Sequence, residues 1–279
     1  MRALIFLFFI VMPMRGADAT PFTPAFYVFQ NGVNFETAKH GALVVKELGY
    51  QGIGSIKPDD LVKFMAACEN EELKVFSIYT GGSVNADGFE YGKEVGEAIA
   101  MLKGTGALVE LYVQSGENPN DAQAIAFVRE IAGLANDSGL KVVLYPHAGF
   151  HIERMDHAVR IAKATGLDNV GVAFNLCHFL KVQPGDDLRE ALVAARPWLW
   201  SVSICGADAD GAEWSSLIRP LDEGTFDQPT LVGILRQIGY QGAIGLQCYN
   251  ITMDARENLS RSMVAWKKIL QSDEGEASE

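Results

Sequence analysis

Eight short runs rich in Val, Ile and aromatic residues recur along this chain, each followed by a longer amphipathic stretch. The runs are AFYVFQ (25–30), GIGSI (52–56), LKVFSIYT (73–80), ALVELYVQ (107–114), LKVVLYPH (140–147), VGVAFNL (170–176), LWSVSIC (199–205) and AIGLQCY (243–249). The stretches with helical periodicity lie near 35–48, 59–71, 88–103, 119–138, 152–165, 187–195, 228–238 and 254–270. Apolar runs of strand length alternating with helices are the pattern of βα units around a parallel sheet. Eight such units in a chain of 279 residues predict an α/β fold, a single (β/α)8 TIM barrel. An open doubly wound sheet is the alternative. It is disfavoured because the turn after the first strand, FQNGVNFE, holds one glycine, Gly32, where a dinucleotide fold needs several.

Helix boundaries are marked locally. Asn34 precedes the first helix, Pro58 and Asp59 open the second, and Asn118 and Pro119 open the fourth. Two exits share their wording, LGYQGIG at 48–54 and IGYQGAIG at 238–245. Gly49 and Gly239 fit a left-handed helix terminus, and Tyr50 and Tyr240 are expected to pack back on the helix just ended.

The first residues, MRALIFLFFIVMPMRGADA, combine Arg2, an apolar run and the small residues Ala17 and Ala19, as a cleaved secretory leader does. The run is shorter than the roughly 20 residues a membrane span needs. Residues 1–19 are therefore set apart as a signal peptide and 20–279 as the barrel, with a secreted or periplasmic location and no membrane association after cleavage. The net charge is −12, and losing Arg2, Arg15 and Asp18 makes it one unit more negative, which argues against a nucleic-acid backbone as the main partner. Composition is that of a globular domain, 48% hydrophobic and 21% charged. Cys68, Cys177, Cys205 and Cys248 lack the spacing of a disulfide scaffold and read as small buried residues.

In a parallel barrel the chemistry gathers at the carboxyl ends of the strands. Those ends offer Gln30 and Asn31, Tyr79 and Thr80, Gln114 and Glu117, Tyr145 and His147, Asn175 and His178, Ser203 and Asp208, and Gln247 and Asn250. His147 and His178 are the candidate acid and base, since imidazole exchanges protons near neutral pH. His40, His151 and His157 lie on or near helices and are expected on solvated faces. Glu110 falls inside an apolar strand, where a buried carboxylate must find a partner or shift its pKa; it could equally face a helix. Trp214, in the polar loop GADADGAEWSS, suits stacking on a sugar face. The loops after the last two strands, CGADADGAEW and CYNITMDAREN, are acidic, so a free sugar fits better than a sugar phosphate.

The segments KELGYQGIG, VGVAFNLCHFL and RPLDEGTFDQPTLVGILRQIGYQGAIGLQCYN resemble the xylose isomerase-like barrels, a family of sugar isomerases, epimerases and endonuclease IV. The similarity spans nearly the whole mature chain and is strongest to exported members labelled sugar phosphate isomerase/epimerase. It implies a sugar isomerase or epimerase acting on a free or modified carbohydrate, with a divalent metal, manganese or zinc, held at the ends of strands five to eight. Carried over, those ligand positions fall on Tyr145, Asn175, Ser203 and Gln247, none of which keeps the family residue; no metal or other cofactor is assigned. His178 matches a family histidine three residues beyond the strand-six position. The site expected is His147 and His178 for catalysis, with Tyr145, Asn175, Gln247, Ser203, Gln114, Glu110 and Trp214 around the substrate. A noncatalytic carbohydrate-binding barrel, or a lyase or hydrolase on an oxidised sugar, is the alternative. The partner is a small carbohydrate, and a homodimer is allowed.

Overall fold

The computed structural model describes residues 22–276, so the leader assigned to residues 1–19 lies outside the described residues. Counted around the barrel, the strands are Phe26–Phe29, Gly52–Gly54, a third in two pieces (Lys74–Val75 and Ser77–Val84), Leu108–Ser115, Lys141–Leu144, Val170–Asn175, Leu199–Ile204 and Ile244–Leu246. All neighbours in this ring pair parallel, and the first strand pairs with both the second and the eighth. Closure falls at the split third strand. Its first piece pairs with strand two (Ile53 opposite Val75), and its second with strand four from Ser77–Leu108 to Val84–Ser115. An Ile56–Ile78 bridge, with Tyr79 N donating to Ile56 O at 2.9 Å, seals the seam.

The outer helices are Ala38–Glu47, Leu61–Asn70, Lys93–Met101, Asp121–Asp137, Met155–Thr165, Leu188–Ala195, Gln228–Gln237 and Ala255–Glu276. Three details differ from the sequence reading. Residues 88–92 do not begin the third helix, because Phe89–Tyr91 folds back antiparallel on the third strand. Thr37, not Asn34, caps the first helix through its hydroxyl at 3.1 Å from His40 N, and Asn120, not Asn118, caps the fourth at 3.0 Å from Gln123 N. Two short helices, Leu176–Val182 and Trp214–Leu217, ride on the mouth. Gly49 and Gly239 do adopt left-handed φ, 89° and 71°. Tyr50 reaches across to Leu259 O at 2.8 Å and stacks on Phe26, so it ties the last helix to the first strand.

Strand alternation divides the core in two. Phe26, Val28 and Ile53 point outward to the helices, whereas Tyr27, Phe29, Val143, Tyr145 and Ala173 fill the barrel with Phe76, Tyr79 and Trp200 packed against them. Tyr27 stacks on Phe76 at 4.4 Å between ring centroids. Such large rings fit because a neighbouring position is small: a Cβ at Gly245 would stand 2.4 Å from a Phe29 ring carbon and 2.8 Å from Tyr27. The four cysteines are buried and unbridged. Among the described residues no helix is long and apolar enough to cross a membrane.

Gly245→Ala is accordingly expected to cost about 1–3 kcal/mol, as overpacking a rigid core does. Urea denaturation checks this, and an unchanged midpoint would show that the rings are free to move aside.

Candidate active site

A cavity of about 600 Å³ opens at the carboxyl-terminal mouth. Tyr145, His147, His178, Trp214 and Gln247 line it, together with Gln30, Asn31, Ser55, Lys57, Tyr79 and Tyr249. The strands deliver these groups over the whole length of the chain. Asn31 donates to Gln247 Oε1 across 216 residues, and its own Oδ1 accepts from Cys248 N at 3.1 Å, so the first and eighth strand ends are laced together. Gln247 Oε1 also accepts from Tyr249 N at 3.0 Å. Both acceptor sites of that amide oxygen are thereby used, which leaves the Nε2 hydrogens as what this side chain still has to offer.

The two histidines sit side by side, ring centroids 4.1 Å apart. His147 stacks on Phe150 at 4.0 Å, and His178 meets the edge of Trp214 at 5.3 Å and of Tyr145 at 5.8 Å. A single residue between them, Ala148, sets their protonation. Its carbonyl lies 3.0 Å from His147 Nδ1, which must therefore carry the hydrogen; its N–H donates to His178 Nδ1 at 3.3 Å, which must therefore be the lone-pair nitrogen. His147 Nε2 is left as a base and His178 Nε2–H as an acid. Burial disfavours the imidazolium form of both: it lowers the pKa of His147, and it lowers that of His178 well below the ordinary value, with the adjacent His147 adding to the effect.

The other expected residues divide by depth. Asn175 is buried; its amide donates to the Tyr145 hydroxyl, and its Oδ1 accepts from Cys177 Sγ at 2.9 Å and from His178 N at the start of the short helix. It shapes the wall rather than lining the cavity. The Ser203 hydroxyl is buried without a hydrogen-bond partner. Gln114 is exposed at the end of its strand and stands apart from the cavity. Glu110 faces the barrel interior, not a helix, and is wholly buried. Burial pushes its carboxyl up to about 7; the hydroxyls of Ser55, Ser77, Tyr27 and Ser201 face it and partly offset this, although none closes to a hydrogen bond by distance and angle.

Ser55 and Lys57, at the end of the second strand, were not among the expected site residues. Their signal was available in GIGSIKPDD, polar residues directly after a short apolar run. Ser55 holds a left-handed φ of 52°, uncommon for a residue with a Cβ, and its N–H donates to Ser77 Oγ at 2.8 Å. His151 and His157 do not lie on a solvated face. Both are half-buried, and each points Nε2 at Asp121.

A family model described as xylose isomerase-like TIM barrel matches residues 43–269. The chain belongs to that family. Solved structures in the same fold include the apo form of 3-keto-D-glucoside 4-epimerase from E. coli (TM-score 0.70, 19% identity, covering 90% of this chain and 100% of that one). Another is D-allulose 3-epimerase from Methylomonas sp. in complex with D-allulose (0.68, 13%, 90% and 99%). A third is the IOLI protein with a bound zinc atom (0.70, 14%, 89% and 98%). No curated protein sequence matches the chain.

The buried carboxyl supplies a check on this site. An acid whose pKa rises from 4.5 to about 7 on folding binds more protons in the folded state, so stability falls as pH climbs through that window. Glu110→Gln is expected to flatten this dependence and to be more stable at pH 8 by roughly 2–3 kcal/mol. Denaturation midpoints between pH 4.5 and 8 test it, and a slope equal to that of the native protein would place the carboxylate in a better-solvated setting.

Proposed function

We propose that this protein is a sugar isomerase or epimerase-like enzyme that enolises a carbonyl-bearing carbohydrate, with His147 as general base and His178 as general acid. The observation that carries this reading is the pair of opposite tautomers that one residue, Ala148, imposes through its C=O and its N–H on two touching imidazoles at the cavity wall. His147 Nε2 takes the proton from the carbon beside the carbonyl, the C–H electron pair becomes the new C=C bond, the carbonyl π pair moves to oxygen, and that oxygen takes the proton from His178 Nε2, leaving an imidazolate beside the His147 imidazolium until the protons return. The resulting enediol collapses to an isomer or epimer when a proton returns to carbon. Tyr79, Tyr145 and Trp214 supply aromatic surface for the sugar, and the free Nε2 of Gln247 donates to a hydroxyl. The sugar epimerases among the structural neighbours are consistent with this chemistry.

The chemistry is proposed to run without a metal at the four strand-end positions. Tyr145 is a phenol with its pKa raised by burial, Asn175 and Gln247 are amides whose oxygens already accept hydrogen bonds, and Ser203 is a hydroxyl. A divalent cation wants anionic oxygen or imidazole there, and this donor set does not fit one. The same neutral set favours the second reading, a barrel that binds carbohydrate without turning it over. A lyase acting on an oxidised sugar would share the enediol step. The leader-like sequence pattern of residues 1–19 favours action in the periplasm or outside the cell.

A panel of aldoses, ketoses and keto-sugars with product analysis tests the proposal. His147→Ala and His178→Ala are each expected to lower kcat/KM by about 10²–10⁴-fold. Activity is expected to hold at neutral pH and to fall on the acid side, below the ordinary histidine value, as the lowered pKa values are crossed. Turnover unchanged by both substitutions would sink the assignment of roles. Binding across the panel without conversion would replace the enzyme reading by the binding one. A bound divalent ion lost on Asn175→Ala or Gln247→Ala would overturn the metal-free site.

A further inference from the structure

Outside the cavity, three side chains from three separate elements turn their metal-ligating atoms toward one point. Asp121 opens the helix Asp121–Asp137, His157 lies on the helix Met155–Thr165, and His151 lies in the loop that leads into that helix. His157 Nε2 is 2.8 Å and His151 Nε2 is 3.1 Å from the same oxygen, Asp121 Oδ1, and the three ligand atoms all lie within 4.8 Å of one another. The imidazole side chains are only 15% and 11% exposed. Arg160 donates to the other oxygen, Oδ2, at 2.8 Å, which leaves Oδ1 as the inner, single-oxygen donor. None of these residues lines the mouth cavity.

We propose that Asp121, His151 and His157 form a binding site for one zinc-class divalent transition-metal ion, with water completing the coordination. Two neutral imidazoles and one carboxylate oxygen match the preferences of such ions, whereas magnesium or calcium would want oxygen throughout. Two histidines on one carboxylate oxygen can also be held by two N–H donors; the metal reading differs in that both Nε2 atoms must be lone pairs, with the cation in place of the two hydrogens. The ion would clip the strand-five loop onto the neighbouring helix. That loop carries His147 and Ala148, and it is further pinned by His151 N donating to Val113 O at 2.9 Å and His147 N donating to Ile152 O at 3.0 Å. This site is separate from the four strand-end positions discussed above and does not depend on the proposed reaction.

The test uses the full chain without a histidine tag, stripped with chelator and titrated with Zn²⁺ and, separately, with Co²⁺ followed by its visible absorption. One ion per chain is expected, with binding weakened by roughly 100-fold or more in His157→Ala and in His151→Ala and unchanged in Asn175→Ala. His157→Gln, which keeps a hydrogen-bonding side chain, serves if the alanine variants fail to fold, and a rise in the thermal midpoint with Zn²⁺ in the native protein but not in this variant supports the site. Absence of a stoichiometric ion, or equal affinity in the histidine variants, would overturn it.

Discussion

The closed ring of parallel backbone hydrogen bonds is what the remaining structure rests on. Lys74–Val75 pairs to one side and Ser77–Val84 to the other, and the Ile56–Ile78 bridge joins what would otherwise be two bare edges of the parallel sheet. Closure also turns every second side chain of the ring strands inward. Tyr27 and Phe29 then have nowhere to go but the barrel lumen, and glycine faces them from strand eight because a methyl group would collide. The same geometry gathers polar residues from the strand ends on one rim. Asn31 and Gln247 meet there only because the first strand lies beside the last.

The interior of this barrel is not uniformly apolar, and its electrostatics follow from that. Glu110 stands in a layer of hydroxyls that only partly offset its burial, so the acid holds its proton up to about neutral pH. Above it, the two imidazoles are kept neutral by the same desolvation. A neutral pair in opposite tautomers offers one lone pair and one N–H side by side, an arrangement that water would scramble but the fixed backbone of Ala148 preserves. Proton transfer at a sugar carbon needs both functions at once.

Legibility in the sequence varied with the range of the interaction concerned. All eight strands and the eight outer helices were visible as periodicity, because burial on one face or both writes itself into adjacent residues. Gly49 and Gly239 were visible too, since a left-handed turn selects glycine locally. The antiparallel piece Phe89–Tyr91 was not, because three residues carry too little pattern and its partner lies on another segment. Neither was the fate of His151 and His157, whose common partner Asp121 is some 30 positions upstream.

By itself the sequence determined the βα order, the barrel, the helix stops and the short set of polar residues that could occupy the mouth, because these depend on neighbours in the chain and on which strand end a residue follows. Only the tertiary structure decided which of that set share a cavity. It placed His147, His178, Tyr145, Trp214 and Gln247 together, sent Asn175, Ser203 and Glu110 beneath the surface and left Gln114 outside. It also decided the tautomers of the histidines and the convergence of Asp121, His151 and His157. The physical reason is common to all of these: depth, hydrogen-bond partners and ligand geometry arise from side chains far apart in the chain, and no local pattern encodes a distance across a barrel.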